Sequence, residues 1–262
     1  MTIAFTPLLD SIRTEDGGIA VDVPDDWLQG RTVFGGLQAA IALRAMRALV
    51  ADAPLRTIQA TFFAPVPAGT VHARARILRS GKNATHVEAT LVDGDATLAL
   101  LVGVFGASRE STVTFMPQQP PLQSTRAFDF AFIPGITPSF TRHFGVRWLR
   151  GQPPYTGDTQ TSHVLEVSLR DAGPATEAHV LAIADFIPPI PLSMLKKPAP
   201  GATMTWMLEM LADRVDHLPL ERWRVDATLA FARDGYIGQS VMLWGPGGET
   251  VAMSRQSMVV FG

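Results

Sequence analysis

Two short stretches combine residue types and surroundings that suit chemistry. Asp185 closes the apolar run Val180-Leu181-Ala182-Ile183-Ala184 and is followed by Phe186-Ile187-Pro188-Pro189. A carboxylate at the end of an apolar helical segment meets the negative end of the helix dipole and loses water. Both effects disfavour its ionised form and raise its pKa. Local stability does not account for such a residue, and a broken local rule is expected where function demands it. The plainer reading is an Asp bonded to nearby backbone amides as the chain turns. The second stretch, Phe34-Gly35-Gly36, runs straight into another helical segment. Unpaired amides at a helix N-terminus, at the positive end of the dipole, favour an anion or a polarised carbonyl oxygen. The competing reading is that the glycines permit a tight turn and close packing.

Other chemistries leave no trace. The 262 residues contain no cysteine, which removes disulfide scaffolds, thiolate metal sites and cysteine nucleophiles. No Gly-x-Ser-x-Gly, His-Glu-x-x-His, Walker loop or Gly-x-Gly-x-x-Gly motif is present. The His residues at 72, 86, 143, 163, 179 and 217 lack metal-ligand spacing and read as structural or surface residues. A formal net charge of -2 without blocks of like charge speaks against nucleic acid. Residues 1–10 lack the features of a signal peptide, and no apolar stretch is long enough to span a bilayer. The expectation is a soluble, cytoplasmic protein with no membrane partner.

The elements that must position these residues can be read from periodicity. Residues 35–50 carry apolar side chains at spacings of three and four, with polar ones at Gln38, Arg44 and Arg47. That pattern predicts a helix wrapped by other structure. Strand-like runs follow at 57–63, 70–78, 85–91 and 96–105, separated by turn signals that include Asp93-Gly94. Residues 108–138 read as a linker. Lead-in strands at 144–149 and 163–169, a helix at 175–185, and strands at 202–211, 223–232, 237–244 and 250–261 then repeat the order. Helix then four strands, twice over, predicts an α+β protein whose two sheets join into one, with a helix on each half. The expected repeats are 1–115 and 116–262.

The residues also carry a resemblance. Gly30-Arg31-Thr32-Val33-Phe34-Gly35-Gly36, Ala64-Pro65-Val66-Pro67-Ala68-Gly69 and Arg79-Ser80-Gly81-Lys82-Asn83 resemble, in order and spacing, acyl-CoA thioesterase II and its thioesterase-like relatives. The resemblance implies a double hotdog fold and hydrolysis of acyl-CoA to the free acid and CoA. It implies a water positioned by Asp185, Thr203 and Gln256, with Thr205 an alternative to Thr203 if the two share a strand face. Phe34, Gly35 and Gly36 would bind the substrate. No metal or other cofactor is implied, and a homo-oligomer is. Arg31, Lys82, Lys196 and Lys197 are unranked candidates for meeting CoA. The pattern departs from the family at Glu209, where an aromatic residue or His is usual, and in the stiff run of Pro188, Pro189 and Pro191.

Two other classes fit the same fold. A hydratase-like lyase looks for an Asp and a His together after the helix, and no His is near Asp185. A non-catalytic acyl-CoA or lipid-binding protein is the third reading, because fold does not fix function. Acyl chain length and pathway are not legible.

Overall fold

The computed structural model describes residues 2–122 and 127–261. Part of the expected linker, residues 123–126, and the terminal residues 1 and 262 lie outside the described residues. The first repeat consists of β1 (Gly18–Val23), α1 (Gly35–Arg47), β2 (Leu55–Phe62), β3 (Gly69–Ser80), β4 (Thr85–Asp93) and β5 (Ala96–Phe105). The second consists of β6 (Phe144–Arg150), β7 (Ser162–Leu169), α2 (Glu177–Ala184), β8 (Gly201–Met210), β9 (Trp223–Arg233), β10 (Tyr236–Trp244) and β11 (Thr250–Val260).

All these strands join one antiparallel sheet in the order β1-β3-β4-β5-β2-β8-β11-β10-β9-β7-β6, with short edge strands Arg13–Glu15 and Phe128–Phe130 at the two ends. The order reads the same outward from the central β2–β8 pair: β5, β4, β3, β1 on one side and β11, β10, β9, β7 on the other. The fold is therefore a double hotdog whose halves are related by a pseudo-twofold axis through that pair. Its register sets Thr205 opposite Thr61 and Glu209 opposite Thr57.

Each half packs its helix against the inner face of the sheet. Alanines make α1 narrow, and all but a few of its side chains are buried. The helices approach at their backbones: a Cβ on Gly36 would lie 2.9 Å from the Cα of Ala182. Gly36 is thus required by contact with α2, which is one of the two readings of the glycine pair.

One element goes beyond those expected from the sequence, and two helix bounds are corrected. The opening segment is ordered into a helix, Phe5–Asp10, and a hairpin that ends in β1, so the first repeat also has a strand before its helix. Its turn, with Gly17 at φ 79°, lies among charged residues that mask the alternation of so short a pair. Secondly, α1 ends at Arg47 and not at residue 50. The Arg47 guanidinium donates to the carbonyls of Val50, Ala51 and Ala53, wrapping the chain around the helix end. Thirdly, α2 spans Glu177–Ala184, starting later than residue 175 because Thr176 caps it in a box with His179.

Candidate active site

The start of α1 is held rigidly from behind. The Gln38 side-chain amide donates to the Val33 carbonyl at 2.6 Å and to the Thr32 hydroxyl at 3.3 Å. The Val66 N–H donates to the Thr32 hydroxyl at 3.0 Å, and the Val33 N–H to the Val66 carbonyl at 2.7 Å. The proline-containing run after β2 is therefore a brace for the helix start. Phe34 turns away from solvent altogether: its ring is buried, stacked on Phe140 with centroids 4.1 Å apart. Phe140 and Phe144 carry the cluster on to Phe186, next to Asp185.

Asp185 caps the C-terminus of α2. Its carboxylate reaches the N-terminus of α1, where the Gly36 amide faces it and where a Cβ on Gly35 would come 2.7 Å from Oδ2. Gln256, buried on β11, donates through Nε2 to Oδ1 at 2.5 Å. Asp185 lies deep in the molecule, although the residue as a whole keeps part of its surface accessible. Burial pushes its pKa up to about 7, against the Gly36 amide and Gln256, which both favour the anion. The expected penalty of the α2 dipole is offset by the α1 dipole, whose positive end points at the same group. A carboxylate titrating near neutrality and aimed by two donors has the properties of a general base.

The register settles how the threonines face. Gln256 lies opposite Trp206, and a bulge between Thr203 and Thr205 shifts the pairing so that Thr203 opposes Met258 and Thr205 opposes Ser257. Residues 256 and 258 alternate with 257 along β11, so Thr203 shares the inner face with Gln256, and Thr205 is exposed on the outer face. The two-residue period would have put them together; the extra residue in the bulge separates them. Among the described residues, no hydrogen bond joins Thr203 to Asp185 or Gln256. Glu209 and Met207 alternate outward with Thr205, and Trp206 and Met210 are core.

Residues 23–106 match the family described as acyl-CoA thioesterase N-terminal domain, and residues 110–260 match acyl-CoA thioesterase C-terminal domain. The chain belongs to the acyl-CoA thioesterase family. No curated protein matches it. Among solved structures, it is similar to a conserved protein of unknown function with a hot dog fold from Alicyclobacillus acidocaldarius (TM-score 0.83, 21% identity, covering 100% of this chain and 99% of that one). It is also similar to a tesB protein of Mycobacterium avium subs paratuberculosis (TM-score 0.79, 15% identity, 98% of each chain). A third likeness is to the acyl-CoA thioesterase II TesB2 of Mycobacterium marinum (TM-score 0.72, 15% identity, 98% of each chain).

In this thioesterase-family chain the pseudo-twofold axis creates a second junction, where the C-terminus of α1 meets the N-terminus of α2. It holds an ion pair. The Arg47 guanidinium donates to both Glu177 oxygens at 2.6 and 2.7 Å, and Glu177 also accepts the Leu55 N–H at 2.9 Å. A groove of about 620 Å³, lined among others by Arg56, Asn83, Phe105, Gly106 and Arg109, opens at this end, away from Asp185. The Lys82 hairpin lies here too, whereas Arg31 leads into α1, and Lys196 and Lys197 follow Asp185.

Ser193, His163 and Asp158 have the residue types of a nucleophilic triad, yet His163 Nε2 faces both partners, Ser193 at 3.4 Å and Asp158 at 3.5 Å. A proton relay needs one partner on each ring nitrogen. Burial pushes the pKa of His163 down, as it does for His143 and His179. Among the described residues, no group of three or more His, Asp or Glu side chains forms a metal site, and no helix is long and apolar enough to cross a membrane.

Proposed function

We propose that this chain hydrolyses acyl-CoA thioesters, with Asp185 as the base that activates water. The observation that carries the proposal is the seating of Asp185 on the Gly36 amide and the Gln256 side chain, with a pKa near neutrality. A water beside the carboxylate gives up a proton to Asp185 as its oxygen attacks the thioester carbonyl carbon. The tetrahedral adduct then collapses with cleavage of the C–S bond, releasing the acid, and the departing CoA thiolate takes up the proton held by Asp185, which restores the base. A thioester carbonyl is electrophilic enough for this without a metal, a redox cofactor or a covalent nucleophile.

Gln256 aims the base, and Thr203, on the same face of the sheet, offers a hydroxyl that can donate or accept. Gly36 is engaged with Asp185. The oxyanion is therefore assigned to the Gly35 amide, in the first turn of α1, where amides have no intrahelical acceptor. Arg31, Lys196 and Lys197 are assigned to the CoA phosphates, Arg31 because it precedes the start of α1 that Asp185 faces, and the two lysines because they follow Asp185 along the chain. Lys82 is not, because its hairpin is at the other end of the helix pair. A cytoplasmic homo-oligomer is the setting proposed for the reaction.

Release of free thiol from short, long and aromatic acyl-CoA substrates by the purified protein tests the proposal. Catalytic release from any of them supports hydrolysis. Saturable binding across the panel without release would replace it with the binding-protein reading.

A further inference from the structure

A second buried glutamine stands beside Gln256. Gln239 on β10 is directly opposite Gln256 on β11, and it is completely buried. Its Oε1 accepts the Ile190 N–H at 2.8 Å, and its Nε2 donates to the Pro188 carbonyl at 3.5 Å. Both partners belong to the segment that leaves Asp185. Pro188, Pro189 and Pro191 have no N–H groups, so this segment has few means of anchoring itself. A buried amide side chain costs more than an apolar one of equal volume unless its partners need it. Here one partner is the N–H of Ile190, a buried residue, which would otherwise be left unpaired.

We infer that Gln239 is a positioning residue for the hydrolysis: by holding residues 188–190 to β10, it fixes the direction in which the Asp185 carboxylate meets Gly36 and Gln256. Asp185 is then steadied from two sides, by Gln256 at its oxygen and by Gln239 through the chain that follows it. This inference rests on the proposed thioesterase reading, and its test separates the two.

The test compares the unaltered protein with Gln239→Met, which keeps volume and loses both bonds, and Gln239→Glu. Turnover is measured against pH, and the Asp185 carboxyl is titrated by carbon-13 NMR, which needs no turnover. In Gln239→Met, kcat is expected to fall about tenfold to a hundredfold, with KM changed far less, because a small misplacement of a reacting group costs that much. The Asp185 titration is expected to move down towards the ordinary carboxylate range as water enters. A protonated carboxyl in Gln239→Glu can donate to Pro188 and accept from Ile190, so this variant should recover activity at the acid end of the range and lose it at the alkaline end.

A lowered melting temperature in Gln239→Met with kcat and the Asp185 titration unchanged overturns the inference, because that is the signature of a packing role alone. If Gln239→Met does not fold, Gln239→Glu decides: activity and Asp185 titration matching the unaltered protein at pH 8 overturn it. A shifted titration in a protein that releases no thiol from any substrate retains the positioning contact and rejects the hydrolase reading instead.

Discussion

Asp185, which closes α2, faces the amide of Gly36, which opens α1, so the negative end of one helix and the positive end of the other meet at a single carboxylate. The two helices come from different repeats, and neither repeat alone supplies both. The equivalent junction at the opposite end carries Arg47 and Glu177 in a paired, half-buried bridge. One pseudosymmetric junction holds a carboxylate with a raised pKa, and the other holds an ion pair.

Activity should follow the ionisation of Asp185. Its pKa is raised to about 7, and the base must be deprotonated, so kcat/KM should rise with pH and level off above that value. A pH–rate profile on a single acyl-CoA checks this. An activity flat from pH 5 to 8 would remove Asp185 as the base.

The same shift has a stability consequence of opposite sense. A carboxyl whose folded pKa lies above its unfolded value of 3.8 contributes stability that is fully present below that value and is lost as pH rises through about 7. The loss is on the order of 4 kcal/mol for a shift of this size. Asp185→Asn should therefore raise the melting temperature, more at pH 8 than at pH 4, in thermal scans at the two pH values.

The two glycines should separate in their effects. At Gly36 an added methyl meets the Cα of Ala182 at 2.9 Å, backbone that cannot yield, and Gly36→Ala should cost about 1–3 kcal/mol of stability. At Gly35 the methyl meets Asp185 Oδ2 at 2.7 Å, a side-chain atom that can move. Gly35→Ala should keep most of its stability and lose turnover, which denaturant melts and kinetics on the same preparations would show.

Breaking the bridge at the far end should do the reverse. Arg47→Leu leaves Glu177 without its ionic partner and the carbonyls of residues 50, 51 and 53 without their donor. A loss of about 1–3 kcal/mol is expected, with kcat unchanged at temperatures where the variant is folded.

Much of this arrangement was legible in the sequence, for physical reasons. Asp185 stood out because a carboxylate ending an apolar helix breaks two local preferences. Apart from β1, the strands of both repeats were visible through alternation and turn residues such as Asp93-Gly94, with Gly94 at positive φ. The sequence could not show that the Gly36 amide faces Asp185, since the contact joins residues far apart in the chain. Nor could it show which threonine faces inward, because a bulge leaves no mark on the two-residue period. Gln38 read as part of a polar stripe and Gln239 not at all. A lone glutamine in a strand looks solvent-facing until its burial and its partners are known; the backbone run Pro188-Pro189-Ile190-Pro191, poor in donors, is the signal that something else must hold that segment.

The central claim is that Asp185 activates water at the junction of the two helices. Its most direct test is thiol release by the Asp185→Asn variant on the best acyl-CoA substrate, with binding of a non-hydrolysable analogue measured alongside. Turnover reduced about a hundredfold to ten-thousandfold with binding retained is the predicted result. Turnover within a few-fold of the unaltered protein would contradict it.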